Sequence, residues 1–148
     1  MEKKHVLVVE DEPSILQFWQ RFLDELNLSE HTILLDDKAA REMLNHKKYD
    51  LVVCDIILPH QTGFELAELA RKKNPHTQII LTTAYGADLS RFRPKEQKFH
   101  LLQKPFSNLS ELKNLIVSLL SGKDVFAEAS EDSFSHDEDY PEVTRWSF

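Results

Sequence analysis

The residues able to do chemistry sit where apolar runs stop. Asp55 closes the run Leu51, Val52, Val53 and Cys54, and Pro59 ends the stretch. A run without polar alternation reads as a strand buried on both faces, as in parallel sheets covered by helices. A carboxylate is costly in such a place. It becomes tolerable at the strand's carboxyl end, where open parallel α/β sheets keep their ligand crevice. Asp55 therefore reads as a site residue, the plainer reading being a strand-ending aspartate that caps the next turn. A second acidic cluster, Glu10, Asp11 and Glu12, follows the apolar centre of 5–9 and precedes Pro13. If the two runs are neighbouring strands, Glu10, Asp11 and Asp55 meet at one sheet edge and repel strongly unless a cation lies among them. An all-oxygen set in an open crevice calls for Mg²⁺, which takes one or two carboxylates, keeps waters and leaves room for phosphate oxygens. The seven histidines show no ligand spacing, so zinc is not expected.

Two further groups end apolar runs. The stretch 78–82 leads into Thr83 and Ala84, and 99–103 leads into Lys104, Pro105 and Phe106. A hydroxyl and an ammonium beside a metal-bound carboxylate are the kinds of group that hold phosphoryl oxygens on a carboxylate nucleophile. Read singly, Thr83 merely ends a strand and Lys104 is a solvated surface lysine. Their joint occurrence at successive strand ends favours the phosphoryl reading.

The elements that must position these groups alternate. A strand at 5–9 precedes a helix over about 13–27, in which Ile15, Leu16, Trp19, Phe22, Leu23 and Leu26 recur at helical spacing behind Pro13. A short strand near 32–35 and a helix ending at about His46 lead to the Asp55 strand. Pro59 and Gly63 shape the next loop, and Phe64, Leu66, Ala67, Leu69 and Ala70 mark a third helix ending near Asn74 and Pro75. After the strand at 78–82, the stretch 86–98 has little apolar surface and carries Pro94, so its helix should be short or irregular. Arg91, Arg93, Lys95 and Lys98 make it basic. Beyond the strand at 99–103, Asn108 followed by Glu111 forms a capping-box pattern ahead of Leu112, Leu115, Ile116, Leu119 and Leu120. Five β/α units with right-handed crossovers imply an open, doubly wound parallel sheet of order 2-1-3-4-5.

The 148 residues fit one domain, taken as 1–121, with an appendage over 122–148. Residues 122–148 hold eight acids and two bases, a net of −6, so the total of −7 leaves the body at −1. The appendage lacks a hydrophobic period and is expected to be disordered. A nearly neutral body with an acidic tail gives no support to direct nucleic-acid binding. No apolar run approaches the roughly 18–20 residues that span a bilayer, and the start shows no cleavage pattern, so a cytoplasmic protein is expected. Cys54, the single cysteine, is expected to be buried and inert.

With these residues in place, the sequence over about 4–121 resembles the receiver domain of two-component response regulators, a flavodoxin-like fold. Glu10 and Asp11 match the family's acidic pair, Asp55 its phosphoacceptor, and Pro59 and Gly63 its following loop. Thr83 and Ala84 match its switch hydroxyl, and Lys104, Pro105 and Phe106 its lysine with a typically cis proline bond. The resemblance implies that Asp11, Asp55 and the backbone carbonyl of Ile57 bind Mg²⁺ directly, that Glu10 acts through water, and that Lys104 pairs with the phosphoryl group. Two departures stand out. The aromatic that the family commonly places three residues before the lysine is Leu101 here, and 86–98 lacks the signals of a regular helix.

The resemblance implies a stand-alone receiver that takes a phosphoryl group on Asp55 from a histidine kinase or phosphotransfer protein and switches its protein partners. It would be a monomer or a phosphorylation-dependent dimer, catalysing only its own phosphorylation and slow dephosphorylation. An aspartate-nucleophile phosphohydrolase is the enzyme alternative. That family resembles Asp-x-Asp-x-Thr/Val after its first strand, whereas this chain reads Val9, Glu10, Asp11, Glu12, Pro13. A receiver-like interaction module not controlled by phosphorylation is the other alternative, and the complete acidic set argues against it.

Overall fold

A computed structural model describes residues 3–84, 98–122 and 143–146. The elements alternate as β1 (Lys4–Val9), α1 (Pro13–Leu26), β2 (Ser29–Leu34), α2 (Asp37–His46), β3 (Leu51–Asp55), α3 (Gly63–Lys73) and β4 (Gln78–Ala84). They continue as β5 (Phe99–Lys104), α4 (Leu109–Leu120) and β6 (Val143–Trp146). The strands are ordered β2-β1-β3-β4-β5-β6, so the expected flavodoxin-like order 2-1-3-4-5 is present with one strand added beyond β5. The short or irregular helix expected within 86–98 falls almost wholly outside the described residues.

By compactness the chain divides into Met1–Ile79 and Ile80–Phe148. In the first unit β1 pairs in parallel with β2 and with β3. The apolar runs that fail to alternate are buried on both faces: Val6, Leu7, Val8, Leu51, Val52, Val53 and Cys54 are all at most 1% exposed. Helix α1 begins with Pro13 in its first turn and ends at Asn27, whose φ of 51° is left-handed. Asparagine tolerates that conformation, and the tight exit lets β2 start at Ser29, earlier than the periodicity of 32–35 suggests. Helix α2 is capped by the Asp36 side chain, which accepts from the Lys38 backbone N–H. Helix α3 carries a full capping box in which Thr62 accepts from the Glu65 N–H while the Glu65 carboxylate accepts from the Thr62 N–H.

In the second unit β4 and β5 run parallel, with Ile80 level with His100 and Ala84 level with Lys104. Of the capping box expected at Asn108, the half in which its side chain accepts from the Glu111 N–H is formed. Helix α4 buries Leu112, Leu115, Ile116, Leu119 and Leu120, the stripe its period implies. The structure departs from the sequence reading at Val143–Trp146, which pairs with β5 where no regular element was expected. Val, Thr and Trp are strong strand formers, and their local signal is diluted when the acidic stretch is weighed as a whole. The rest of the appendage, 123–142 with 147 and 148, lies outside the described residues. Among those described, no helix is long and apolar enough to cross a membrane.

Candidate functional site

The site begins with the register of β1 and β3. Val9 is level with Cys54, so the next residues, Glu10 and Asp55, leave the sheet side by side at the carboxyl ends of adjacent parallel strands. The Glu10 backbone is fixed from the other side, its N–H donating to the Leu34 carbonyl at 3.0 Å. Glu10 is 1% exposed and Asp55 9%, while Asp11 is exposed. Oxygens of Glu10, Asp11 and Asp55 lie within 4.8 Å of one another. The three acids expected to converge do so. The Glu10 carboxylate also accepts from the Glu12 backbone N–H at 3.2 Å, which ties the acidic turn into the entry of α1.

Two buried carboxylates and one open to solvent make a donor set that fits a hard divalent cation. Like charges held this close in a partly desolvated place repel, and a small hydrated divalent cation held by these residues would relieve that repulsion. Cys54, directly before Asp55, is fully buried and its thiol donates to the Gly63 carbonyl at 3.7 Å. Burial pushes this thiol up from its ordinary range, and the neighbouring charges of Asp55 and Glu10 push it further in the same direction. It is an inert core group, as the sequence implied.

The loop after Asp55 is closed tightly. The Gly63 N–H donates to the Ile56 carbonyl at 2.8 Å, Leu58 N–H to the Gln61 carbonyl at 3.3 Å, and Ile57 bridges Thr62 in antiparallel fashion. The Ile57 side chain is 48% exposed. A second set of contacts, which no sequence motif marks, straps this loop to α2. The Asp37 carboxylate accepts from the His60 backbone N–H at 2.9 Å and pairs with His60 Nδ1 at 2.8 Å. Gln61 Nε2 donates to the Asp37 carbonyl at 3.0 Å, and Arg41 donates to Gln61 Oε1 at 3.1 Å. Asp37 is 1% exposed. Burial alone would raise its pKa, but the hydrogen bonds from His60 and Gln61 outweigh that and hold it below 3.8. Asp36, Asp37 and His60 do approach closely enough to suggest an ion site. Their polar atoms are already engaged with protein groups, so the cluster reads as a strap.

In the second unit the register sets Thr83 level with Gln103, and Ala84 level with Lys104. Thr83 and Lys104 thus lie at the carboxyl ends of neighbouring parallel strands. Thr83 is 4% exposed and Lys104 half-buried. The Lys104-Pro105 bond is cis, as the resemblance implied. Leu101, at the position where an aromatic is common, is buried in β5. Tyr85 lies outside the described residues.

The family model of the response regulator receiver domain matches residues 6–117. The chain belongs to this family. Among curated receivers, the response regulator protein PilR of Pseudomonas aeruginosa is 30% identical over 129 residues, covering 86% of this chain and 28% of PilR. The transcriptional regulatory protein TcrA of Mycobacterium tuberculosis is 35% identical over 108 residues, covering 72% of this chain and 42% of TcrA. The chain therefore spans less than half the length of these relatives. Among solved receivers, the response regulator protein TrrA of Thermotoga maritima, in complex with Mg(2+)-BeF, is 34% identical. Its TM-score is 0.65, and the match covers 79% of this chain and 99% of that one. The Francisella response regulator 1452 receiver domain is 28% identical with a TM-score of 0.63, covering 80% and 98%. As a receiver domain the chain belongs with the signalling modules of two-component systems.

Proposed function

We propose that Asp55 is the phosphoacceptor of this receiver and that residues 1–121 form the responding domain. The observation that carries the proposal is the meeting of the Glu10, Asp11 and Asp55 oxygens within 4.8 Å at the ends of adjacent parallel strands. Asp11, Asp55 and the Ile57 backbone carbonyl would hold Mg²⁺, with Glu10 acting through water. The bound ion would supply positive charge against the phosphoryl oxygens and the three carboxylates. An Asp55 carboxylate oxygen attacks the phosphorus of a phosphohistidine on a histidine kinase or phosphotransfer protein. The P–O bond forms as the P–N bond breaks, and the electron pair stays on the donor imidazole. By the family's pattern Thr83 would donate its hydroxyl, and Lys104 its ammonium, to phosphoryl oxygens.

Hydrolysis of the adduct would be slow. In the receiver family two positions border the attacking water, and in this sequence they correspond to Ile57 and Tyr85. An isoleucine cannot orient water by hydrogen bonding, and a tyrosine is protonated at neutral pH and bulky. Such a donor system would put the protein in the cytoplasm, where the phosphorylated form would exchange protein partners as a monomer or a phosphorylation-dependent dimer.

The test is incubation of the chain with Mg²⁺ and a small phosphodonor, followed by intact-mass spectrometry. One adduct is expected, absent without Mg²⁺ and absent in Asp55→Asn. An adduct retained by Asp55→Asn would overturn the assignment, and steady turnover of the donor would point instead to a phosphohydrolase.

A further inference from the structure

The family match stops at residue 117, yet the sheet does not stop at β5. Residues 143–146 add a parallel strand to it, with Phe99 level with Val143, His100 with Thr144, Leu101 with Arg145 and Leu102 with Trp146. The outer side of β5 is a row of backbone donors and acceptors, and such a row is a template for any extended segment able to pair with it. This chain supplies the segment itself. The run Val143, Thr144, Arg145, Trp146 suits the role, because β-branched and aromatic residues favour the extended conformation. The pairing is also shallow. Among the described residues these four are joined on one side, to β5, and so short a pairing makes few hydrogen bonds against the entropy of ordering it, so the occupant can be exchanged.

We propose that the outer edge of β5 is a docking site for an extended peptide strand, and that residues 143–146 occupy it in cis. A partner bearing a strand of similar character would engage this receiver by replacing them. The paired stretch ends at Leu102, so Gln103 and Lys104 extend past it.

The test uses the full chain and backbone amide exchange over 99–102, read by NMR. Along a strand, alternate residues turn their N–H toward a given neighbour, so Thr144→Pro with Arg145→Pro removes a ladder donor in either alternation. The double variant should exchange about tenfold faster at the outward-facing amides of 99–102, with protection in β1 and β3 unchanged. A synthetic peptide of residues 139–148 should restore protection in the variant, and should need about tenfold more peptide to bind the unaltered chain, whose edge is held. The milder pair Val143→Gly and Thr144→Gly, which keeps every donor and only lowers strand propensity, should give an intermediate loss. Unchanged exchange over 99–102 in the proline variant overturns the proposal, as does a variant that ignores the peptide. Protection in the unaltered chain that falls on dilution overturns occupancy in cis and assigns the strand to a second copy. Labelling by a phosphodonor in both chains is a separate readout: its failure would count against Asp55 as phosphoacceptor and leave the exchange result standing.

Discussion

Removing the Asp37 carboxylate should loosen the loop that follows Asp55 at a cost the structure allows to be worked out. The carboxylate makes two short contacts with His60, at 2.9 Å to the backbone N–H and 2.8 Å to Nδ1, and a longer one of 3.4 Å with Gln61 Nε2. Hydrogen bonds to charged groups contribute about 1.5–3 kcal/mol each. The lower figure applies, because His60 is exposed and water can replace the lost acceptor. Two such bonds give about 3 kcal/mol, offset in part by relief of the carboxylate's own desolvation, so Asp37→Ala should cost about 2–3 kcal/mol. His60→Ala removes the ring contact and keeps the backbone bond, and should cost about 1 kcal/mol. Urea unfolding of the full chain, followed by circular dichroism, measures both and the double variant. The pair should couple by about 0.5–1 kcal/mol. The pH dependence has a definite sign. A carboxylate held below its unfolded 3.8 contributes stability that is complete above that value and is lost as the pH falls through the lowered folded value. The gap between the parent and Asp37→Asn should therefore close in that acid range. A cost under about 0.5 kcal/mol for Asp37→Ala, or strict additivity with His60→Ala, would refute the strap.

Four other outcomes follow from the site. Asp11→Asn should weaken Mg²⁺ binding by about tenfold or more while stabilising the metal-free chain by about 0.5–1 kcal/mol through relief of like-charge repulsion, and a destabilised, metal-binding variant would contradict this. Added Mg²⁺ should raise the unfolding midpoint of the parent chain by mass action, with that response much reduced in the variant. Ile57→Asn and Tyr85→Ala should each shorten the lifetime of the Asp55 adduct, measured by loss of the adduct mass after donor removal, and unchanged lifetimes would remove the basis for slow hydrolysis. Cys54, fully buried with its thiol pushed up by burial, should alkylate only as fast as the chain opens, and labelling at the rate of a free peptide thiol would show that the strand is not closed.

The sequence reveals what short-range physics controls. The unbroken apolar runs of β1 and β3 could only be strands buried on both faces, and the acids that end them could only be tolerable where the sheet opens. Asn108 and Glu111 announce the start of α4 because a cap is a contact between residues three apart. The Asp37 strap is of another kind. Asp37 looks like any acid in the first turn of a helix and His60 like any loop histidine, and only the packing of α2 beside α3 brings residues 23 positions apart to 2.8 Å. β6 was hidden for a different reason. Its four residues carry a clear strand preference, but a strand needs an edge to pair with, and the edge lies some forty positions away on β5.

Leu101 connects these observations. Where the family commonly carries an aromatic on its fifth strand, this chain has an aliphatic side chain buried at 4% exposure, which cannot swing between a solvent and an interior position without uncovering apolar surface. A readout by ring rotation at this position is thus closed to this receiver. The same residue is level with Arg145 of the added strand. Its backbone lies in the stretch of β5 that β6 covers, and Lys104 is on that strand three residues further along. If Lys104 pairs with the phosphoryl group as proposed, a resulting shift of β5 would be felt along the strand as a change in the alignment of its outer hydrogen bonds. Under the exchange proposed for residues 143–146, this four-residue strand is the element placed to respond, and its exchange would take the place of a side-chain flip.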